Sequence, residues 1–332
     1  MRRKFLIAAA LFFAVVVAGV LHLAYRPVQA DKPIVITIRR GENTGEIAAQ
    51  LDREGLLRSK RLFIWWAKLR HIDRRLQPGR YVFSGPTAMS DLLSDLHQGK
   101  AVTVTVTIPE GLTIARIAAL LTSELGVDSA ETVKLTTDKE LLARWAIPQD
   151  NMEGYLLPET YTFFWGVGAD EVIGRMLAAN RALFEDTVSA RLAELGWSRH
   201  EALTLASMIE AEAGNNSERR RISAVFHNRL RREMLLQCDP TVIYAMGGLS
   251  SDRQLLRDDL GFESPYNTYL YPGLPPGPIC NPGKASILAA VFPDDSKELY
   301  FVADGAGGHI FTASLEEHNS ACARVRREKR NR

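Results

Sequence analysis

At 332 residues the chain has room for two or three folded units, and its 46% apolar and 24% charged residues are ordinary for a globular protein. The net charge is only +2 and the basic residues are scattered, which argues against a nucleic-acid-binding protein. Cys238, Cys280 and Cys322 lie far apart without CxxC or Cys/His spacing, so the sequence predicts neither a metal site nor an organic cofactor.

The N-terminus carries an apolar run over residues 5–25, directly after three basic residues at 2–4. About 20 apolar residues cross a bilayer as one helix. A basic cluster before such a helix keeps the N-terminus in the cytoplasm. We therefore predict a cytoplasmic N-terminus (1–4), a single transmembrane helix (5–25) in the inner membrane, a linker (26–33) and a periplasmic remainder. The alternative is a cleaved signal peptide, because 28–30 (VQA) has the small-x-small pattern of a cleavage site.

A small α/β unit is predicted over 34–105. A strand at 34–38 is followed by a helix capped near Asn43, a helix over about 59–70, a strand near 80–83 and a helix over 90–96. This order resembles a LysM module, a small βααβ fold that binds glycans. The alternative is a spacer that holds the rest of the chain away from the membrane.

A repeat relates this unit to the residues that follow it. Ile38 and Gly41, with the helical residues at 47, 48 and 51, recur as Ile108 and Gly111 with 117, 118 and 121, at a constant offset of 70 residues. The pattern predicts one strand–glycine–helix module used twice, with the glycine making the turn into the helix.

The later part of the chain is predicted to be helical and then rich in turns. A helix over 200–213 stops near Gly214, and 216–217 caps a helix that starts at Glu218. Asp239 and Pro240 suit the start of another helix. Two apolar strands, 299–303 and 309–313, flank a glycine-rich turn and predict a hairpin.

The helix over 200–213 carries the candidate catalytic residue. Helical spacing surrounds Glu210 with small and apolar residues, and burial of a carboxyl group there would raise its pKa and keep it protonated. A protonated carboxyl is the general acid that cleavage of a glycosidic bond requires. Two alternatives stay open at this point: Glu210 pairs with an arginine of 219–221, or Glu212 is the functional carboxylate.

The stretch from 205 to 248 closely resembles the YceG-like endolytic murein transglycosylase family, also called MltG. It reads LASMIEAEAGNNSERRRISAVFHNRLRREMLLQCDPTVIYAMGG. Further blocks follow the family's order, namely EGY at 153–155, LPETY at 157–161, SPYNTY at 264–269, GLPPGPI at 273–279, NPG at 281–283, YFV at 300–302 and HN at 318–319.

The resemblance implies an activity and a set of site residues. The first glutamate of the family's A-S-x-x-E-x-E motif is catalytic, and it falls on Glu210. The implied enzyme is a lytic transglycosylase, a lyase that cuts nascent peptidoglycan strands between N-acetylmuramic acid and N-acetylglucosamine and leaves 1,6-anhydro ends. The implied partners are these glycan strands and penicillin-binding proteins. The implied substrate-binding residues are Glu153, Tyr155, Glu159, Asn228, Arg229, Gln237, Asp239, Tyr266, Asn267 and Tyr269.

The expected fold class is α+β, with the transmembrane helix, the LysM-like unit, a mixed α/β catalytic domain over 106–323 and a basic tail over 324–332. Glu159, Glu212 and Asp239 are candidate helpers of the catalytic carboxyl. Two rival functions remain: a muramidase that hydrolyses the same bond, and a non-catalytic peptidoglycan-binding scaffold.

Overall fold

A computed structural model of the chain describes residues 2–30, 32–39, 41–249 and 253–331. Met1, Asp31, Arg40, 250–252 and Arg332 lie outside the described residues. They include one position each of the predicted cytoplasmic N-terminus, the linker, the repeat and the basic tail.

The chain has mixed α and β structure, as predicted. The helices within the described residues are α1 (Arg2–Tyr25), α2 (Thr44–Arg53), α3 (Lys60–Leu69), α4 (Met89–Gln98), α5 (Ile114–Leu125), α6 (Ser129–Thr136), α7 (Lys139–Arg144), α8 (Ala169–Leu183), α9 (Ser189–Leu195), α10 (Arg199–Glu212), α11 (Arg219–Arg231), α12 (Asp239–Ala245), α13 (Lys284–Val291) and α14 (Leu315–Asn331). The strands there are β1 (Ile34–Ile38), β2 (Gly79–Phe83), β3 (Thr103–Thr107), β4 (Thr160–Phe164), β5 (Tyr300–Ala303) and β6 (His309–Thr312).

The strands pair two by two. β1 lies antiparallel to β2, β3 pairs with β4, and β5 forms an antiparallel hairpin with β6 across the glycine-rich turn. The predicted hairpin is therefore confirmed.

The chain divides into two compact units. The first contains the described residues up to Val106 together with Ser123–Val127 and Thr162–Gly168. The second contains Thr107–Thr122, Asp128–Tyr161 and the described residues from Ala169 onward.

The core of the first unit lies under the β1–β2 pair. The predicted strand–helix–helix–strand order is observed, and the period-two alternation of β1 and β2 turns Ile36, Ile38, Tyr81 and Phe83 inward. The apolar faces of α2, α3 and α4 cover these side chains.

The first helix contributes to this core at its last turns. Ala24 is fully buried there, and the Tyr25 ring meets Trp66 edge-on. Within the described residues, no helix reaches the length and apolar character that a membrane crossing requires. The transmembrane helix predicted over 5–25 is therefore not confirmed by the structure.

Both copies of the repeat form the predicted module. Gly41 and Gly111 have φ angles of +91° and +77°, values that glycine adopts without strain, and a helix begins three residues after each. The isoleucine, alanine and leucine of each helix are almost completely buried.

Several predicted helix boundaries were wrong by one or two residues. α10 ends with Ala213 as its C-cap, before Gly214, and Asn215 caps the short 3-10 turn that precedes α11. Cys238 is the N-cap of α12, so Asp239 lies in the first helical turn. The boundaries differ because helix ends fray and are fixed by tertiary contacts.

Candidate active site

The candidate catalytic residue lies in the last turn of α10. Ser198 and Glu201 form a reciprocal capping box that starts this helix. α10 packs against α13, and the hydroxyl of the buried Ser207 accepts a hydrogen bond from the backbone N–H of Ile279 at 3.0 Å. These contacts fix the end of the helix that carries Glu210.

The carboxyl group of Glu210 is sheltered and accepts two hydrogen bonds. Its side chain is 6% exposed. Arg219 Nη2 donates to Oε1 at 2.7 Å, and the backbone N–H of Gly283 donates to Oε2 at 2.9 Å. The surroundings are therefore polar, contrary to the prediction from the small helical neighbours. The pairing with Arg219 is the alternative that the sequence left open.

A cavity of about 630 Å³ lies beside Glu210. Ligand pockets commonly occupy roughly 300–1,000 Å³. Gly111 and Ala211 belong to the lining, and a Cβ atom on Gly111 would lie 3.6 Å from Cγ of Glu210. Glu210 therefore adjoins two lining residues but does not itself line the cavity. The lining residues are Gly111, Thr113, Ala115, Arg116, Glu153, Ala211, Pro240, Ile243, Tyr244, Gly247, Gly248, Leu249, Ile279 and Cys280.

Glu153 is the carboxyl group that lines this cavity. Its oxygens accept from the backbone N–H of Ile114 at 3.1 and 3.2 Å, and Oε1 also accepts from Asn281 Nδ2 at 2.7 Å. Burial raises the pKa of Glu153 to about 7, although both hydrogen bonds oppose the shift. The predicted site residue therefore lies at the cavity with a proton affinity suited to neutral pH.

Asn281 connects three segments around the cavity. Its fully buried amide accepts from the N–H of Leu156 at 3.0 Å and donates to the carbonyl of Leu112 at 2.9 Å and to Glu153. The sequence placed Asn281 in a loop block but did not predict this role.

Glu110 lies at the candidate site, although no sequence pattern singled it out. Its Oε2 lies 3.6 Å from Nη2 of Arg219, the guanidinium that also binds Glu210. The sequence feature that could have pointed to Glu110 is its position in the second copy of the repeat, directly before Gly111.

Glu212 has a different environment from Glu210. The Cys238 thiol, Asp239 and His309 lie near enough to its carboxylate to affect its pKa. Burial, the largest cause, raises the pKa of Glu212 to about 7. The two glutamates that the sequence could not distinguish therefore belong to separate networks.

Besides Glu153, four of the predicted substrate-binding residues are buried and hydrogen-bonded to the protein. Asn228 donates to the carbonyls of Ser296 and Glu298, and Arg229 donates to those of Leu235, Leu236 and Leu299. Asn267 donates to the carbonyls of Leu260 and Phe262. These groups fasten loops, so none of the three is positioned to bind a sugar.

Tyr155 is the fourth buried residue. Its ring is 1% exposed, so it presents no face on which a sugar could stack. Its hydroxyl bonds to Nδ1 of His200 at 2.9 Å, and Nε2 of that histidine lies 2.7 Å from the carbonyl of Pro276. The pair ties Tyr155 to the proline-rich loop.

The remaining predicted residues reach solvent to different degrees. Glu159 and Gln237 are exposed, while Tyr266 is half-buried with its ring 5.0 Å from that of Tyr244, a cavity residue. The Tyr269 hydroxyl donates to the exposed carboxylate of Asp239. Of the ten predicted residues, Glu153 lines the cavity and Tyr266 contacts its lining.

Sequence comparison finds a matching family and similar proteins that carry names. The sequence model of the YceG-like family matches residues 36–324. A protein from Bacillus subtilis (strain 168) named endolytic murein transglycosylase is 32% identical, and the alignment covers 89% of this chain and 86% of that protein. One of the same name from Streptococcus pneumoniae (strain R6) is 30% identical, over 95% of this chain and 64% of that protein.

Structure comparison gives a similar result. The crystal structure of a YceG-like protein from Listeria monocytogenes aligns with a TM-score of 0.61 at 33% sequence identity. The alignment covers 88% of this chain and 99% of that one.

Proposed function

This chain belongs to the YceG-like family, and we propose that it is an endolytic lytic transglycosylase. It cleaves the bond between N-acetylmuramic acid and N-acetylglucosamine in nascent peptidoglycan strands and leaves 1,6-anhydro-muramyl ends, which limits strand elongation. The observation that carries the proposal is a sheltered carboxyl group, Glu210, beside two residues that line a ligand-sized cavity, Gly111 and Ala211.

The proposed reaction uses Glu210 twice. In its protonated form it donates a proton to the glycosidic oxygen while the bond from that oxygen to C1 of the muramyl residue breaks. The C6 hydroxyl oxygen of the same residue then bonds to C1, and its proton returns to Glu210. Atoms balance without water, so the reaction is an intramolecular transglycosylation, and the enzyme is classed as a lyase because no water is consumed.

Ordinary glycosidases place two carboxyl groups on either side of the bond. Here the substrate's own N-acetyl group can support the positively charged intermediate, so one acid/base suffices. Glu153, which lines the cavity with a pKa of about 7, is the competing proton donor.

Substrate contacts are proposed for the accessible members of the predicted set. Glu153 and Tyr266 lie at or beside the cavity, and Gln237, Asp239 and Tyr269 stand on the adjoining loop and helix start. Glu159 is exposed, and nothing else in the structure supports a role for it.

Membrane attachment and organisation are further parts of the proposal. The basic residues at 2–4 and the apolar run at 5–25 support a single-pass inner-membrane anchor with the catalytic domain (106–323) in the periplasm. Exposed apolar side chains along α1, including Leu11, Phe12 and Phe13, support it as well. Alkaline extraction of cell membranes tests it, because an anchored chain stays in the pellet and a released chain argues against the anchor.

The βααβ order of 34–105 supports a LysM-like glycan-binding unit close to the membrane. Family membership supports penicillin-binding proteins as partners.

The decisive experiment measures products of the purified full chain in detergent on un-crosslinked glycan strands. Wild type is compared with Glu210→Gln, Glu153→Gln and the matched control Glu212→Gln, two residues away on the same helix. We expect anhydro ends from wild type, a loss of about a hundredfold or more for Glu210→Gln, and retained cleavage for Glu212→Gln.

Other outcomes identify the rivals. Reducing ends, heavier by one water, indicate a muramidase. Strand binding without cleavage by wild type indicates a scaffold. If Glu210→Gln remains active while Glu153→Gln folds but is inactive, the general acid is Glu153.

A further inference from the structure

One side of α3 exposes large apolar side chains between cations. Trp65 is 50% exposed and Leu69 is 56% exposed, whereas Phe63 of the same helix is buried in the core of the first unit. Arg61 and Lys68 are exposed as well. Positions 61, 65, 68 and 69 follow the helical repeat, so these four side chains lie on one side of the helix, away from the core. We call these four residues the outer face of α3.

The segment around the outer face carries an excess of positive charge. Among residues 58–75 seven are basic and one, Asp73, is acidic, although the net charge of the whole chain is only +2. All seven basic side chains are exposed, and within the described residues none of them forms an ion pair. They are Arg58, Lys60, Arg61, Lys68, Arg70, Arg74 and Arg75. The segment therefore departs from the scattered distribution of basic residues along most of the chain, and its charge is available to an anionic partner.

The outer face lies beside the end of α1. The Trp65 ring stands 6.1 Å from the Trp66 ring, which in turn meets the Tyr25 ring at 6.2 Å. The Arg58 guanidinium donates to the carbonyl of Pro27 at 3.1 Å, just beyond the end of α1. A row of aromatic rings thus leads from the last residue of the apolar helix to the outer face of α3.

The last turns of α1 bring exposed apolar side chains to the same place. Leu21, Leu23 and Tyr25 are exposed there, while Ala24 packs in the core of the first unit. The apolar run of α1 therefore ends against the unit that carries the outer face. If α1 enters a membrane, the outer face lies close to the surface of that membrane.

The composition of the outer face indicates which partner fits it. Tryptophan is enriched at membrane–water interfaces, where its apolar ring meets the lipid and its N–H stays at the polar side. Lysine and arginine near a membrane are attracted to anionic headgroups. A neutral sugar ring could stack on Trp65, but it offers no charge to the surrounding cations. An anionic membrane surface suits both the apolar and the cationic side chains.

We propose that the outer face of α3 rests on the anionic lipid headgroups of the membrane that α1 enters. Trp65 and Leu69 lie at headgroup level, and the cations around them bind lipid phosphates. This inference rests on the membrane attachment proposed above. The first unit then has two contacts with the membrane, α1 inside the bilayer and α3 on its surface, which fix the orientation of that unit.

The experiment places the full chain in nanodiscs of phosphatidylcholine, with or without phosphatidylglycerol. Both contain a lipid that carries a nitroxide on its headgroup and quenches tryptophan fluorescence on contact. The chain has five tryptophans, so Trp65→Phe identifies the contribution of position 65. Trp145→Phe, at the end of α7 in the second unit, is the matched control.

A pair of charge reversals tests the cations. Arg61→Glu combined with Lys68→Glu reverses both charges of the outer face. Lys134→Glu combined with Lys139→Glu, two exposed cations of α6 and α7, is the control of equal charge change. Thermal unfolding checks that each variant folds.

We expect wild type to be quenched more strongly when phosphatidylglycerol is present. Trp65→Phe and the reversal on α3 should lose this excess quenching, and both controls should keep it. The excess should also disappear at high salt, because salt screens the attraction between exposed cations and headgroups. If the reversal on α3 does not fold, the loss at high salt is the test of the cations.

The opposite results are equally clear. Equal quenching in both lipid mixtures, or excess quenching that Trp65→Phe retains, overturns the inference. Soluble glycan strands that shield Trp65 from acrylamide, where phosphatidylglycerol does not, would assign the outer face to glycan and overturn it as well. A chain that alkaline treatment releases from cell membranes defeats the proposed anchor, and the inference with it. An anchored chain whose Trp65 is not quenched defeats only the inference.

Discussion

The two copies of the strand–glycine–helix module have the same order of strand, glycine turn and helix. They differ in the contacts with which the helix begins. In the first copy the Asn43 side chain accepts from the N–H groups of Gly45 and Glu46, and the Glu46 side chain accepts from the N–H of Asn43. This capping box lies within four residues of sequence. In the second copy the N–H of Ile114 is bound by the carboxylate of Glu153, 39 residues away.

The glycine turns differ in the same way. A Cβ atom on Gly41 would meet nothing within 4 Å, whereas one on Gly111 would touch Glu210. The N–H of Gly111 also donates to the carbonyl of Asn281 at 2.9 Å. The first copy is complete by itself, and the second is completed by distant residues that also build the candidate active site.

The difference shows that local sequence determines the fold of the module. Whether the module takes part in the candidate site depends on residues far away in the sequence. The same turn serves as a plain connection in one place and carries Glu110 to Arg219 in the other.

The largest effect on stability is expected at Asn281, a residue that contacts the second copy of the module. Asn281→Ala leaves the N–H of Leu156 unpaired and removes a donor from Glu153, both in buried surroundings. We expect a loss of about 4 kcal/mol in the free energy of unfolding, measured by urea denaturation. Cleavage should fall at the same time, because the Glu153 carboxyl loses its support. A loss below about 1 kcal/mol would show that water replaces the amide.

The second effect is a dependence of stability on pH. The carboxyl group of Glu153 binds the first turn of α5, whereas the amide of Asn43, which does not titrate, caps α2. The pKa of Glu153 is raised from 4.5 to about 7. The folded chain therefore binds this proton more tightly, so the stabilisation is fully present below about pH 4.5 and is lost as the pH rises through about 7.

Glu153→Gln should remove that fall in stability, which amounts to roughly 3 kcal/mol. Glu212, whose pKa burial also raises to about 7, contributes its own slope to both proteins. The measured quantity is accordingly the difference in unfolding free energy between wild type and variant at each pH. A difference that stays constant with pH would contradict the assigned protonation of Glu153.

The smallest effect is at the first copy. Asn43→Ala removes the side-chain cap of α2 and should cost about 1 kcal/mol. The loss should not depend on pH, since the amide does not titrate, and cleavage by the full chain should be unchanged. Any change in the cleavage rate would mean that the first copy contributes to the candidate site.

Sequence patterns predicted the local elements because the determining contacts lie nearby. Asn43 caps α2, as its short-range pattern indicates. The alternation in β1 and β2 and the glycine turns were equally readable. The predicted C-terminal end of α10 and the predicted N-terminal start of α12 were wrong by one or two residues. Such boundaries depend on contacts from elsewhere in the fold.

The candidate site was less predictable because its contacts span long separations. The family resemblance directed attention to Glu210, but nothing local indicates that Glu110 meets Arg219 or that Glu153 binds Asn281. The family resemblance implied substrate contacts for Asn228, Arg229 and Asn267, which lie in its motif blocks. Their burial against backbone carbonyls shows that such blocks also preserve loop geometry.

The surroundings of two cysteines have a consequence for redox chemistry. Cys238 lies beside Glu212, and Cys280 donates to the carbonyl of Ser207, both within the core. Burial, together with neighbouring carboxylates, raises the pKa of both thiols. Because thiolate is the attacking species in disulfide exchange, both sulfurs are protected from oxidants. The catalytic unit can therefore work in an oxidising compartment with these thiols reduced and without assistance from disulfide-forming enzymes.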